Sequence, residues 1–97
     1  MNEFFERQGR HWVVAAERRD ATIAVPTLDS RVALELLELA RVAAHTHERR
    51  FAPLSCYLAG VAAERLRSEK PGTDDAAIAG FIEEVRRVLE AEAPTET

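Results

Sequence analysis

The chain has 97 residues, of which 46% are hydrophobic and 31% are charged, a composition typical of a globular protein and too apolar for a disordered one. Its length suits one small domain with a marginal core, so we expect residues 1–97 to form a single domain. The net charge of −4 argues against nucleic-acid binding, which requires a basic face.

Targeting features point to the cytoplasm. Cys56 is the only cysteine, so no disulfide can form within the chain and nothing indicates an oxidising compartment. The first ten residues, MNEFFERQGR, lack the apolar core and cleavage site of a signal peptide. No apolar run approaches membrane-spanning length. We therefore expect a cytoplasmic protein that binds neither membranes nor nucleic acid.

The first helix is predicted to run from Asn2, its N-cap, to about Arg19. Within it, Trp12 repeats with other apolar residues at helical spacing and is interpreted as a core anchor. Gly9 is the weak point of this helix, because glycine costs about 1 kcal/mol relative to alanine there.

Residues 20–29, DATIAVPTLD, are predicted to form an extended connecting arm. Ile23 and Val25 favour extended backbone, and Pro26 forbids a continuing helix. We expect these two apolar side chains to lie across the bundle. A short β-bridge is the alternative.

The second helix is predicted to begin after a cap at Thr27 or Asp29. Its apolar face is broad enough for two neighbouring helices, and it comprises Val32, Ala33, Leu36, Leu37, Leu39, Ala40, Ala43 and Ala44. The opposite face is predicted to be solvated and carries Arg31, Glu35, Glu38 and Arg41. Because the domain is small and the apolar face is wide, we also expect the chain to self-associate as a homodimer.

A proline separates the second and third helices. Pro53 disfavours helical backbone at Ala52, so the second helix must end before about residue 51. Proline suits the first helical position, which predicts a third helix from Pro53 to about Arg67, with Ala52 as its N-cap. Gly60 inside this helix is predicted to permit tight contact with the second helix.

The fourth helix has the clearest pattern. Residues 68–72 break the third helix, and residues 73–75 supply a cap and two acidic side chains. One face of the new helix then carries Ile78, Phe81, Ile82, Val85, Val88 and Leu89. These elements predict an all-α, up-and-down, four-helix bundle-like domain with the extended arm between helices 1 and 2 and a frayed tail at residues 93–97. A three-helix core with a loose first helix and an obligate dimer are the alternatives.

The residues around Pro53 resemble a known family. Those that carry the resemblance are the run LLELAR from Leu36 to Arg41, then Ala44-His45, Glu48-Arg49, Ala52-Pro53-Leu54, Leu58 and Gly60. This stretch, from Val32 to Leu66, is similar to a small bacterial domain of unknown function, family 6457. In that family the domain stands alone or is fused to a nucleotidyltransferase of the molybdenum-cofactor guanylyltransferase type. The resemblance implies a role near molybdenum-cofactor biosynthesis and no particular chemistry.

No catalytic constellation is visible in the sequence. His45 and His47 would point about 200° apart on a helix and could not chelate one metal ion together. Cys56 is interpreted as a small buried hydrophobe. No phosphate-binding loop or hydrolase signature is present. We therefore predict a protein that is not an enzyme and holds no metal or cofactor.

One candidate binding site remains, which we call the corner. It comprises His45, Glu48, Arg49 and Arg50 beside Pro53, Leu54 and Ser55. Ala52 has no side-chain acceptor, so free amides of Leu54 and Ser55, with the arginines, could hold a phosphate or a partner's carboxylate. The simpler interpretation, which we favour, is that His45 and the arginines complement the negative end of the second helix.

These observations support two hypotheses for function. The preferred one is a non-catalytic accessory domain that binds a protein partner, by resemblance a guanylyltransferase-type nucleotidyltransferase. The alternative is a module that binds a small anion, a nucleotide or a pterin phosphate through Arg49 and Arg50 at the start of helix 3.

Overall fold

A computed structural model describes residues 2–92 and contains four α-helices in that range. They are α1 (Glu3–Glu17), α2 (Ser30–Thr46), α3 (Phe51–Glu69) and α4 (Asp75–Glu92). The described residues include no strand, so the all-α, four-helix prediction is confirmed and the β-bridge alternative is wrong. The predicted frayed tail, residues 93–97, lies outside the described residues.

Backbone contacts divide the chain into two compact units, residues 1–30 and residues 31–97. The first contains α1 and the arm, and the second contains most of α2 with α3 and α4. Whether the whole chain behaves as one domain stays a prediction.

In the first unit, α1 begins where the sequence predicted. The Asn2 side chain accepts a hydrogen bond from the N–H of Phe5 at 3.2 Å, which caps the helix. At the other end, Asp20 adopts a left-handed conformation with φ of 60°. The N–H of Ala21 then donates to the carbonyl of Ala16 at 3.0 Å, which closes the last turn. The chain continues as the extended arm.

The arm packs against α1 at Gly9, the buried residue of that helix. A Cβ at this position would lie 2.7 Å from the carbonyl oxygen of Pro26 and 3.1 Å from a methyl group of Val25. The glycine thus allows helix and arm to touch. The prediction that Trp12 is a core anchor is wrong: its side chain is 55% exposed, and its indole N–H donates to Gln8. The packed face of α1 is centred on Gly9, where the arm needs the space that only a glycine leaves.

In the second unit, all three helices contribute to the core. The buried apolar side chains are Leu39, Val42 and Ala43 from α2, Ala63 from α3, and Ile78 and Ile82 from α4. Val42, only 2% exposed, was absent from the predicted face of α2, whereas the predicted Leu37 is exposed. The buried face therefore agrees with the predicted one at Leu39 and Ala43 and differs from it at Leu37 and Val42. Glu35, which was predicted to be solvated, is half-buried and pairs with Arg86 of α4 at 3.1 Å.

The turn between α3 and α4 follows the predicted chemistry. Asp74 accepts a hydrogen bond from the N–H of Ala77 at 2.8 Å and caps α4. Gly72 supplies the left-handed residue of the turn, with φ of 91°. Arg67 and Asp75 form an ion pair at 2.7 Å across the turn. The two helices also contact each other.

The predicted role of Gly60 is wrong. A Cβ at this position would meet no neighbouring group within 4 Å, so no helix packs against it. Close approach of α3 to its neighbours occurs instead at Ala59 and Ala63, which lie in or against the core. Gly60 is on the exposed side of α3, about 100° around the helix axis from Ala59.

Candidate functional site

The corner begins where α2 ends, at Thr46. The Thr46 hydroxyl donates to the carbonyl of Val42 at 2.7 Å, and the N–H of His47 donates to the carbonyl of Ala43 at 3.2 Å. The His47 ring lies 6.4 Å from the ring of Phe51, centre to centre. These contacts hold the four residues between α2 and α3 in a tight connection.

The start of α3 differs from the prediction. The helix begins at Phe51, so Pro53 is its third residue and not its first, and Arg50 replaces the predicted N-cap Ala52. Proline is tolerated there because amides of the first turn have no partner within the helix. The N–H groups of Phe51 and Ala52 donate to the carbonyls of Glu48 and Arg49 at 3.0 and 3.1 Å.

This earlier start changes the electrostatics of the corner. In a helix that begins at Phe51, the amides of Leu54 and Ser55 lie in the helical hydrogen-bond ladder, facing carbonyls four residues earlier. They are therefore not the free donors that the sequence predicted. The corner keeps its arginines, but the predicted anion site loses the amides on which it relied.

The charged side chains of the corner fall into two groups. Arg50 pairs with Glu48 at 2.9 Å, and both side chains are largely exposed. Within residues 2–92, by contrast, the side chain of Arg49 makes no hydrogen bond or ion pair. His45 is exposed in the last turn of α2, near its negative end. Arg49 and His45 can therefore meet a partner without first breaking a contact.

Exposed apolar side chains follow these charged residues in the first two turns of α3. Leu54 is 61% exposed and Tyr57, one turn further along α3, is 73% exposed. Pro53 is exposed as well, and Ser55 is half-buried. The prediction did not single out Tyr57, although the three-residue spacing from Leu54 places both on one side of a helix. We call Arg49, Leu54 and Tyr57 the corner surface.

Cys56 does not supply a nucleophile to the corner. Its thiol is half-buried, and Sγ lies 3.6 Å from the carbonyl oxygen of Leu36, to which it donates. Burial raises the pKa of the Cys56 thiol, which disfavours the reactive thiolate. The cysteine thus contributes packing between α3 and α2.

Metal ligands do not cluster in the part of the chain that the structure describes. There, no three His, Cys, Asp or Glu side chains are grouped so that they could hold a metal ion. His11 lies on α1 and is exposed, away in sequence from His45 and His47. Within the same residues, no helix is both long and apolar enough to cross a membrane.

Comparison with known proteins identifies a family and no individual relative. The model of a family described as a domain of unknown function, DUF6457, matches residues 6–97. The resemblance seen between Val32 and Leu66 therefore extends over nearly the whole chain. No curated protein and no solved structure matches the sequence.

Proposed function

We propose that this chain, which belongs to the DUF6457 family, is a non-catalytic domain that binds another protein through the corner surface. The observation that carries the proposal is that Arg49, which has no ion pair within residues 2–92, is exposed just before α3, and that the apolar side chains of Leu54 and Tyr57 are exposed in the first two turns of that helix. Arginine and tyrosine dominate the binding energy of protein interfaces, where an apolar centre is surrounded by polar groups.

The rigid setting of the corner surface supports this proposal. Leu54 and Tyr57 project from α3, whose start is fixed by backbone hydrogen bonds to Glu48 and Arg49. Side chains on a fixed helix lose less conformational freedom on binding than side chains on a loop. The surface is therefore ready to dock without rearrangement.

For the partner we propose a nucleotidyltransferase of the molybdenum-cofactor guanylyltransferase type, acting in the cytoplasm. This choice rests on the resemblance of the corner residues to the family and on the single cysteine. Binding of a nucleotide or pterin phosphate at Arg49 and Arg50 is the alternative, and the amide bonding at the start of α3 weighs against it.

Substitution of Arg49 tests the proposal. Arg49→Ala should leave the melting temperature nearly unchanged, because within residues 2–92 the side chain has no hydrogen bond or ion pair to lose. It should weaken binding to the purified guanylyltransferase-type enzyme at least about tenfold, as expected for an arginine at the centre of an interface. Arg49→Lys should give an intermediate loss, since lysine keeps the charge but not the planar fork of donors. Biolayer interferometry with the immobilised enzyme measures the affinities.

Arg10→Ala is the matched control. Arg10 is exposed on α1, and its side chain has no hydrogen-bond or ion-pair partner within residues 2–92, so this variant removes the same charge elsewhere. It should bind as tightly as the wild type. Equal affinities for Arg49→Ala and Arg10→Ala would show that the corner surface does not contact the partner.

A further inference from the structure

A groove runs between α3 and α4 and opens into an apolar cavity of about 210 Å³. Its buried members are Leu39 of α2 and Ile82 of α4, each only 4% exposed. Leu58 on α3 and Val85 on α4 line it as well and are exposed. The remaining lining residues are Ser55, Ala59, Ala62, Phe81 and Leu89.

The composition of this groove does not suit a metabolite. Small-molecule sites usually enclose about 300–1,000 Å³ and contain several converging polar groups. This cavity is smaller, and Ser55 is the only polar residue among those that line it. Apolar walls of this kind are suited to receive apolar side chains of another protein, as in the centre of a protein interface.

We propose that this face of the α3–α4 hairpin is the contact surface of a homodimer. The face provides both a cavity and the apolar side chains that could fill one, because Leu58 is 68% exposed, Val88 is 50% exposed and Val85 is 48% exposed. A twofold dimer requires one patch that is complementary to itself. Two such hairpins packed face to face form a four-helix bundle across the twofold axis.

The size of the α3–α4 face reaches the lower limit for a specific dimer interface. The 19 residues of α3 and 18 of α4 make each helix about 27 Å long, at a rise of about 1.5 Å per residue. Two packed helices present a width of about 18 Å, so the flat footprint is about 500 Å² per copy and about 1,000 Å² for both. Specific interfaces bury at least roughly 1,000 Å² in total. The uneven surface formed by the side chains makes the buried area larger than the flat footprint.

The charges along the groove also permit self-association. Arg65 and Glu69 of α3 lie beside its continuation, next to Phe81. Because both signs are present on this edge, a second copy does not bring a row of like charges together. Leu58 and Tyr57 are neighbours in sequence and therefore point about 100° apart on α3, whereas Leu54 lies one turn before Leu58, about 40° away around the helix. The dimer face therefore adjoins the corner surface at Leu54 and diverges from it at Tyr57.

Sedimentation equilibrium of the full chain tests this proposal with two leucines of nearly equal exposure. Leu58 is 68% exposed in the groove, and Leu37 is 66% exposed on α2, outside it. The wild type should sediment at twice the 10.8 kDa mass of the chain. Leu58→Glu should sediment as a monomer, because a carboxylate in the apolar interface is costly. Leu37→Glu should remain a dimer.

Circular dichroism establishes that each variant retains its helices, and Val88→Glu is a second variant of the same face with the same expected result. A wild type that is monomeric up to about 1 mM, where even a weak dimer forms, would overturn the proposal. So would a folded Leu58→Glu that remains dimeric, or a Leu37→Glu that dissociates.

Discussion

Gly9 and Gly60 both lie inside helices, but their surroundings are opposite. The Cβ position of Gly9 is occupied by the arm, with the Pro26 carbonyl oxygen 2.7 Å away. The Cβ position of Gly60 is open. Glycine is unfavourable in a helix unless its lack of a side chain is needed. Only Gly9 meets that need.

Alanine substitution should therefore have opposite effects at the two sites. Gly9→Ala should lower the free energy of unfolding by up to about 2 kcal/mol, because overpacking costs about 1–3 kcal/mol and the gain in helix propensity is about 1 kcal/mol. Gly60→Ala should raise it by about 0.5–1 kcal/mol. Urea unfolding at one protein concentration measures both. If the two variants shift stability in the same direction, the packing of the arm on α1 is wrong.

Individual residues show what the sequence could and could not predict. The caps at Asn2 and Asp74 were predictable, because a cap depends on the few residues that follow it. The exposure of Trp12 was not, because helical spacing alone does not show which side of α1 the arm covers, and the approach of Pro26 to Gly9 forms only in the folded chain. At the corner, the earlier start of α3 was missed because the proline rule fixes only a favoured position, and the seven candidate residues stay a prediction.

At the scale of elements, Arg86 connects α2 with α4. Its Nε donates to Glu35 of α2 at 3.1 Å, and its Nη1 donates to Glu90 one turn along α4 at 2.9 Å. The Arg86 side chain is only 13% exposed. Arg87, its neighbour, pairs with Glu83 of the same helix at 2.6 Å but is 69% exposed. The Arg86–Glu35 pair links α4 to α2, whereas the Arg87–Glu83 pair joins two residues of α4.

Removal of these two arginines should consequently differ in effect. Arg86→Ala should lower the urea midpoint clearly, since it leaves Glu35 half-buried without this partner. Arg87→Ala should leave the midpoint nearly unchanged, because exposed ion pairs within one helix contribute little. Glu35→Ala should lower the free energy of unfolding less in the Arg86→Ala background than in the wild type, since both residues take part in the same interaction. Equal midpoints for the two arginine variants would refute the helix-linking role of Arg86.

The pairing of Glu35 was beyond sequence reasoning. Glu35 belongs to a row of charged residues at helical spacing on α2, and this sequence pattern is the same whether the row faces solvent or a neighbouring helix. The partner lies 51 residues away, and only the docking of α4 brings it within reach. The helices themselves were predictable, because caps, prolines and apolar spacing act locally. The limits of the buried face of α2 were not, as the exposure of Leu37 and the burial of Val42 demonstrate.

At the scale of the whole molecule, the second unit carries two exposed surfaces on α3, which adjoin at Leu54. The corner surface lies at the start of the helix, and the dimer face lies along its side toward α4. A dimer formed through Leu58 and Val85 would leave Arg49 and Tyr57 of each copy exposed. We therefore expect one protein partner per chain, whether or not the chain is dimeric.

Titration calorimetry with the guanylyltransferase-type enzyme tests protein binding at the corner surface most directly. The wild-type chain should bind saturably, at one enzyme molecule per chain, and Leu54→Glu should bind at least about tenfold more weakly. Leu37→Glu, with a similarly exposed leucine replaced on α2, should bind as the wild type does. Guanine nucleotides or inorganic phosphate added to the chain alone should produce no binding heat. Saturable binding of nucleotide or phosphate to the chain, with no binding of the enzyme, would contradict the proposal.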